Sequence, residues 1–371
     1  MVRVSAPGKC ILFGEHAVVY GHPAVAVAID QRLTVSAELS SQWDIDGKPL
    51  NAQKHPHVEA LKSRMWAHGP PLRVSIQGDI PAGSGLGSSA SLSAASASCL
   101  RMLRGRYVDA NGNWTEGWSS DEPNNVYFGH SKESFGENRL HGWDAVNEDE
   151  SALLAHAVEA SAQGGMASPI DSSTCSHGGC IVAFKEKLPE LDWLYTRKLK
   201  HEEMERKWEL HRLVIPEKLN SIKLVIGHTG IHGSTAKQVE MVRGKIQQNP
   251  SLIQVMDAIG QITKRGIEAF LSADPVTLGQ SMNENHLLLQ GLNVSCPELD
   301  ALVEAAQLTS FGAKLTGAGG GGCMIALTSD PVETSRAIEL AGGRAFISSL
   351  GGQGLRCEDD VGSLSWNPYE I

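Results

Sequence analysis

The sequence lacks what a nucleic-acid-binding or membrane-spanning protein needs. Across 371 residues, 42 acidic side chains outnumber 32 Lys and Arg, for a formal net charge of −10. With no basic excess to neutralise a phosphate backbone, general nucleic-acid binding is excluded. A small polyanion is not excluded, because its capture depends on local groups. No run of roughly 18 apolar residues exists to cross a membrane. Met1-Val2-Arg3-Val4-Ser5 reads as the start of a strand rather than a signal peptide, and Tyr369-Glu370-Ile371 is not a peroxisomal address. The seven cysteines (10, 99, 175, 180, 296, 323 and 357) are scattered and odd in number, and no second pair joins Cys175 and Cys180 to complete a zinc site. Reduced thiols and a cytoplasmic location are the expectation. Also missing are a Gly-x-x-x-x-Gly-Lys-Ser/Thr loop and an N-terminal Gly-x-Gly-x-x-Gly loop.

What is present centres on Pro81-Ala82-Gly83-Ser84-Gly85-Leu86-Gly87-Ser88-Ser89-Ala90. The alternation in Leu72-Arg73-Val74-Ser75-Ile76 predicts a strand before it. The Ala/Ser/Leu-rich stretch through Leu103 predicts a helix after it, with Ser88 or Ser89 as N-cap. Glycines 83, 85 and 87 can take positive φ and admit a ligand close to the backbone. A glycine loop opening a helix presents bare N–H groups and a positive dipole end, which is a phosphate site. The loop therefore points to nucleotide phosphate held by neither a P-loop nor a dinucleotide-binding domain.

Residues 2–40 read strand, turn, strand, strand, with Lys9 following the Pro7-Gly8 turn and the Glu15-His16 pair closing an apolar run. Standing alone, Lys9 is either a solvated charge or a group pointing into a cleft, and Glu15-His16 either a satisfied polar pair or part of a site. Residues 105–150, with Trp114, Trp118 and Trp143, read as a surface insertion, and a helix follows from Asp149 through Glu159. Asp171 lies in a glycine-containing loop spanning 164–173, where it either caps a helix or does chemistry. The charge-dense stretch 185–213 reads as a solvated helical insertion. A domain junction is expected near 216–222, and helices over 250–271 and 275–291. The run Lys314-Leu315-Thr316-Gly317-Ala318-Gly319-Gly320-Gly321-Gly322 is expected between a helix and the strand 324–327, where close backbone approach compensates the glycines' chain entropy.

Three strings stand in one order: Pro7-Gly8-Lys9 with Gly14-Glu15-His16, then the 81–90 loop, then 314–322. With Ala167-Ser168-Pro169-Ile170-Asp171-Ser172-Ser173 and Met282-Asn283-Glu284-Asn285-His286, they resemble the GHMP kinase superfamily, and within it the mevalonate kinase branch. The resemblance covers most of the chain outside 105–150 and 185–213. It implies a two-domain α/β (α+β) fold: an N-terminal domain over 1–219 with a left-handed βαβ crossover, and a ferredoxin-like C-terminal domain over 220–371. The active site lies in the cleft between them, and the tail after about residue 350 packs back on the first domain. The implied reaction is ATP- and Mg²⁺-dependent phosphorylation of the 5-hydroxyl of mevalonate. Pro81, Gly83, Ser84, Gly85, Leu86, Gly87, Ser88 and Ser89 would hold nucleotide phosphate. Ser89 and Glu159 would hold the metal, although the Glu159–Asp171 loop is one residue longer than the family pattern. Asp171 and Lys9 would be the catalytic pair, with His16, Glu15, Thr229, Ala318 and Gly317 facing substrate. The resemblance further implies a homodimer, and inhibition by prenyl diphosphates occurs in some members of the family.

Other kinases of the superfamily fit less well. Residues 5–20 lack the Arg, Asn and Asp of the galactokinase start, and no cationic cluster for a second phosphate stands near 16–30 or 228–243, as phosphomevalonate would require. Homoserine kinases do not use an Asp equivalent to Asp171. A mevalonate 3-kinase or decarboxylase relative is a further alternative. A non-catalytic sensor of the same fold would be expected to lose the Asp, the Lys or a metal ligand, and all are present.

Overall fold

The computed structural model describes residues 1–66, 69–105, 146–162, 167–201 and 204–358. The insertion expected over 105–150, its three tryptophans included, lies almost wholly outside them. In chain order the elements are β1 (Val2–Phe13), β2 (Ala24–Leu39), β3 (Asp44–Ile45), β4 (Lys48–Pro49), α1 (Pro56–Met65), β5 (Leu72–Gly78) and α2 (Ser88–Gly105). Then come α3 (Glu148–Ala162), α4 (Ile170–His177), β6 (Cys180–Phe184), β7 (Asp192–His201) and β8 (Met204–Leu213). The second unit holds β9 (Lys223–His228), α5 (Thr235–Gln248), α6 (Ile253–Leu271), α7 (Pro275–Gly291) and α8 (Pro297–Gln307). It is completed by β10 (Gly312–Leu315), β11 (Cys323–Thr328), α9 (Pro331–Leu340) and β12 (Arg344–Ser349), before β13 (Arg356–Cys357).

The first sheet has nine strands and is built on β2, whose 16 residues carry β1 along one edge and β6 and then β5 along the other. β1 does not turn at Pro7-Gly8 as expected. It runs on as one strand with a bulge between Pro7 and Lys9, because Pro7 has no N–H to give the ladder and the irregularity absorbs the loss. Residues 192–213 are not a helical insertion but the β7–β8 hairpin, which pairs with β6 and extends the same sheet. Leu194, Tyr195, Trp208 and Leu210 pack in the core. Glu209 takes hydrogen bonds from Trp193 Nε1 and Thr196 Oγ1, each at 2.8 Å, across the hairpin. Cross-strand pairing of this kind favours strand over helix.

The second sheet is antiparallel in the order β10-β11-β9-β12, the ferredoxin-like arrangement, with α5 to α9 supplying the helical layer. The glycine run 317–322 joins two strands, β10 and β11, rather than a helix and a strand. α7 and α9 start as local chemistry dictates. Pro275 and Pro331 sit in their first turns, and the Asp274 and Asp330 side chains cap the first backbone N–H groups. After β12 the chain returns to the first unit, where β13 pairs with β1 and Leu355 N–H donates to Ser176 O at 2.8 Å. One apolar cluster runs through both units, from Val4, Val35 and Leu86 to Leu224, Ile226, Phe270 and Leu278.

α7 meets the start of β10 backbone to backbone. A Cβ on Gly279 would stand 2.1 Å from the Phe311 carbonyl carbon, and one on Gly312 1.9 Å from the Gly279 oxygen. Gly279→Ala is therefore expected to destabilise the protein by about 1–3 kcal/mol, the usual range for overpacking. Chemical denaturation checks this, and an unchanged midpoint would contradict the packing.

Candidate active site

Three backbone ties bring the phosphate loop against β1. The bulge turns Lys9 so that its own N–H donates to Leu86 O at 2.9 Å. Buried Ser91, one turn into α2, donates its hydroxyl to Pro7 O at 2.6 Å. The Lys9 ammonium then reaches back to Gly85 O at 3.0 Å. The cap of α2 differs from the expectation. Gly87 O accepts the first helical bond, from Ser91 N–H, so Gly87 is the N-cap and the Ser88 and Ser89 side chains are free for other work. Ser89 uses its hydroxyl to donate to Glu159 Oε1 at 3.1 Å, from the facing α3.

Asp171 lies in the first turn of α4, beyond a loop of which residues 163–166 are not described. Its Oδ2 sits 3.0 Å from Lys9 Nζ. The lysine is only 2% exposed while the aspartate is 32% exposed. Burial pulls the Lys9 pKa down, but the charge and hydrogen bond of Asp171 more than offset it and leave it above the ordinary value. Asp171 Oδ1 is buried and accepts no hydrogen bond among the described residues. Burial, then the Asp171 charge, push Glu159 up to about 8, against the opposing Ser89 hydrogen bond and Lys9 charge. A cation at Ser89 and Glu159 would remove that penalty, so this pair of hard oxygens fits Mg²⁺, which takes few protein ligands. Among the described residues no three His, Cys, Asp or Glu gather as a metal cluster.

These groups line one cleft of 460 Å³ between the units, along with Gly83, Ser84, Gly85, Gly87, Ser88, Gly317 and Ala318. Two glycine loops touch across it. A Cβ on Gly85 would stand 2.8 Å from Thr316 O, an approach only glycine allows. Pro81 and Leu86 stand behind the loop. Pro81 O accepts the Ser84 hydroxyl at 2.6 Å, and the Leu86 side chain is in the core. His16 lines the cleft with φ of +60° and donates Nε2–H to Ala318 O at 3.1 Å. Burial first, with help from the Lys314 charge, lowers its pKa to about 4, so the ring is neutral at physiological pH.

Two expected substrate residues are otherwise engaged. Glu15 borders the cleft, yet both carboxylate oxygens are taken, one by Lys314 and one by Asn285 Nδ2 at 3.1 Å. Thr229 donates its hydroxyl to Gly322 O at 2.9 Å and lines a separate cavity beside α8. That bond braces the glycine run instead of reaching into the cleft. The sequence reading missed His57, Tyr20, Val239 and His232, all of which line the cleft. His57 and Val239 arrive on α1 and α5 from distant parts of the chain, while Tyr20 and His232 lie in the turn after β1 and the loop before α5.

A carboxyl whose folded pKa lies above its ordinary 4.5 loses stability as pH rises from 4.5 towards about 8, because unfolding lets it ionise. In metal-free protein, Glu159→Gln is thus expected to change little near pH 4 and to stabilise at pH 8 by on the order of 1–3 kcal/mol. Thermal unfolding at both pH values checks this, and an equal shift at both contradicts it.

The profile of the GHMP kinases N terminal domain matches residues 55–112 and that of the GHMP kinases C terminal matches 267–340. A mevalonate kinase of Thermococcus onnurineus is 31% identical, aligned over 96% of this chain and 98% of its own length. One of Methanothermobacter thermautotrophicus is 31% identical over 87% of this chain and 88% of its own. Among solved structures, L. major mevalonate kinase in complex with R-mevalonate superposes with a TM-score of 0.64 at 24% identity, covering 94% of this chain and 96% of that one. That structure shares the fold, and the relatives share the sequence along nearly its whole length. The chain belongs to the mevalonate kinase family of the GHMP kinases.

Proposed function

We propose that the protein transfers the γ-phosphoryl group of ATP to the 5-hydroxyl of (R)-mevalonate, giving 5-phosphomevalonate and ADP. The observation that carries the reading is the Lys9–Asp171 pair, held at 3.0 Å with the buried lysine behind and the aspartate side chain 32% exposed at the cleft. The part of the Asp171 carboxylate open to the cleft would accept the substrate hydroxyl proton. As the hydroxyl oxygen bonds to the γ-phosphorus, the bond from that phosphorus to the bridging oxygen breaks, ADP departs, and the proton passes to Asp171. Lys9 steadies the negative charge on the hydroxyl oxygen as it forms. Because phosphoryl transfer has a loose transition state, most of the acceleration comes from placing and neutralising charge. The backbone N–H groups of 83–89 supply part of that at the N-terminus of α2. Ser89 and Glu159 would hold Mg²⁺, whose charge screens the phosphate oxygens when it is bound. Neutral His16, with Gly317 and Ala318, closes the acceptor side.

The unit boundary follows the same reading: 1–219 carries the phosphate loop and catalytic pair, and 220–371 closes the cleft. The mevalonate kinases named above support mevalonate over phosphomevalonate, galactose or homoserine as acceptor. A cytoplasmic setting agrees with the absence of a membrane-crossing helix among the described residues and with the scattered cysteines.

ADP release measured with each of those four acceptors tests the substrate, with turnover expected on mevalonate alone. Asp171→Asn should fold normally and lose roughly 10²- to 10⁴-fold in kcat; near wild-type turnover would overturn the mechanism. Ser89→Ala should raise the Mg²⁺ concentration needed for half-maximal rate, and an unchanged titration would remove Ser89 from the metal.

A further inference from the structure

The string Lys314-Leu315-Thr316-Gly317-Ala318 grips β1 and the turn beyond it at three points, every second residue in contact. Thr316 Oγ1 accepts from Ile11 N–H at 2.8 Å and donates to Ile11 O at 3.2 Å, standing in for a neighbouring strand. Ala318 O holds the His16 ring. Lys314, fully buried, donates to Glu15 Oε1 and to Leu315 O at 2.6 Å. Glu15 is equally buried and takes its second bond from Asn285 on α7. Lys314 and Glu15 lie 299 residues apart and in different units, so a buried ion pair joins those units one residue from the cleft. The next residue, His16, is a non-glycine at φ +60°, and Ala17 N–H folds back on Glu15 O at 2.6 Å. A side chain in that conformation persists only where its surroundings impose it.

We propose that Lys314 is a positioning residue for acceptor binding: paired with Glu15, it fixes the tight turn that presents the His16 imidazole to the acceptor side of the cleft. The inference rests on the mevalonate reading above. Lys314 is not among the residues that line the cleft and acts only through Glu15 and His16. Its neutralisation alone leaves Glu15 buried without its counter-ion, which is strongly destabilising, whereas removing both charges of such a pair is often nearly neutral.

The test uses the full chain as wild type, Lys314→Met, Glu15→Gln and the double variant. Lys314→Met should lower the unfolding midpoint, and the double variant should recover much of it. The double variant's KM for mevalonate should nonetheless stay about 10- to 100-fold above wild type, the penalty of a slightly misplaced binding group, with KM for ATP unchanged. A purely structural role predicts instead that mevalonate KM recovers along with stability, and that result overturns the proposal. Should the double variant not fold, Asn285→Leu removes only the second bond to Glu15. A rise in mevalonate KM there supports the proposal, and an unchanged value refutes it. Titration of His16 by NMR needs no substrate. It should fall near pH 4 in wild type and move towards the ordinary 6.5 in Asn285→Leu, which leaves the Lys314 and Glu15 charges in place and loosens only the anchor of the turn. If wild type shows no mevalonate-dependent turnover, the substrate reading fails while this titration still decides whether the Lys314–Glu15–Asn285 anchor fixes the His16 turn. A shift upholds it, and no shift refutes it.

Discussion

A lysine ammonium stripped of water and a carboxylate still open to the cleft face each other at 3.0 Å, and the site is arranged around that asymmetry. Burying an ammonium alone is strongly unfavourable. Lys9 tolerates it because Asp171 Oδ2 and Gly85 O replace its hydration. The aspartate in turn keeps part of its side chain exposed at the cleft. Each element nearby serves to hold the two charges there. The β1 bulge aims Lys9, Ser91 ties α2 to the residue before the bulge, and α4 begins one residue ahead of Asp171. Cys10 and Cys175, buried beside the pair, have thiol pKa values raised chiefly by burial and so add no competing charge.

The second constraint is how closely the two units approach. Side chains on the loop carrying Gly85 or on the one carrying Gly317 would force them apart, because their backbones already touch. Gly233 N–H also donates to Gly83 O at 3.1 Å, so a loop of the second unit closes over the phosphate loop from another direction. The cleft is thus a space bounded by three glycine-bearing turns packed closely against one another. Glycine is weak as a scaffold because it has much conformational freedom to lose. Here the buried contacts of Thr316 with Ile11 and of Lys314 with Glu15 supply the rigidity that the turns lack.

How much of this was legible in the sequence follows from the range of the interactions involved. The 81–90 loop and its helix could be read because positive φ and an exposed helix start are local demands written in adjacent residues. α6 and α7 were placed within a few residues for the same reason. The β7–β8 hairpin was misread because its charges concealed a period of two. Lys198, Lys200 and Lys207 point outward while Trp208 and Leu210 go in, and charge density drew attention away from the alternation. Glu15 is read at the substrate because the sequence puts it next to His16, and it does border the cleft, but the partners that take its carboxylate oxygens lie 270 and 299 residues away and leave no trace in the local sequence. The carbonyl that engages Thr229 likewise belongs to the distant glycine run. Lys9, Asp171, Ser89 and Glu159 were named through resemblance, and the folded chain brings all four to one cleft. No local pattern in the residues could have foretold that convergence.

Anomalous diffraction from crystals grown with Mn²⁺ and a non-hydrolysable ATP analogue examines the central claim most directly. The account predicts one strong peak at coordination distance from Ser89 Oγ and a Glu159 carboxylate oxygen, with the terminal phosphate directed at Asp171 and within reach of Lys9. A metal bound away from both residues, or phosphates lying outside the 83–89 loop, would contradict it.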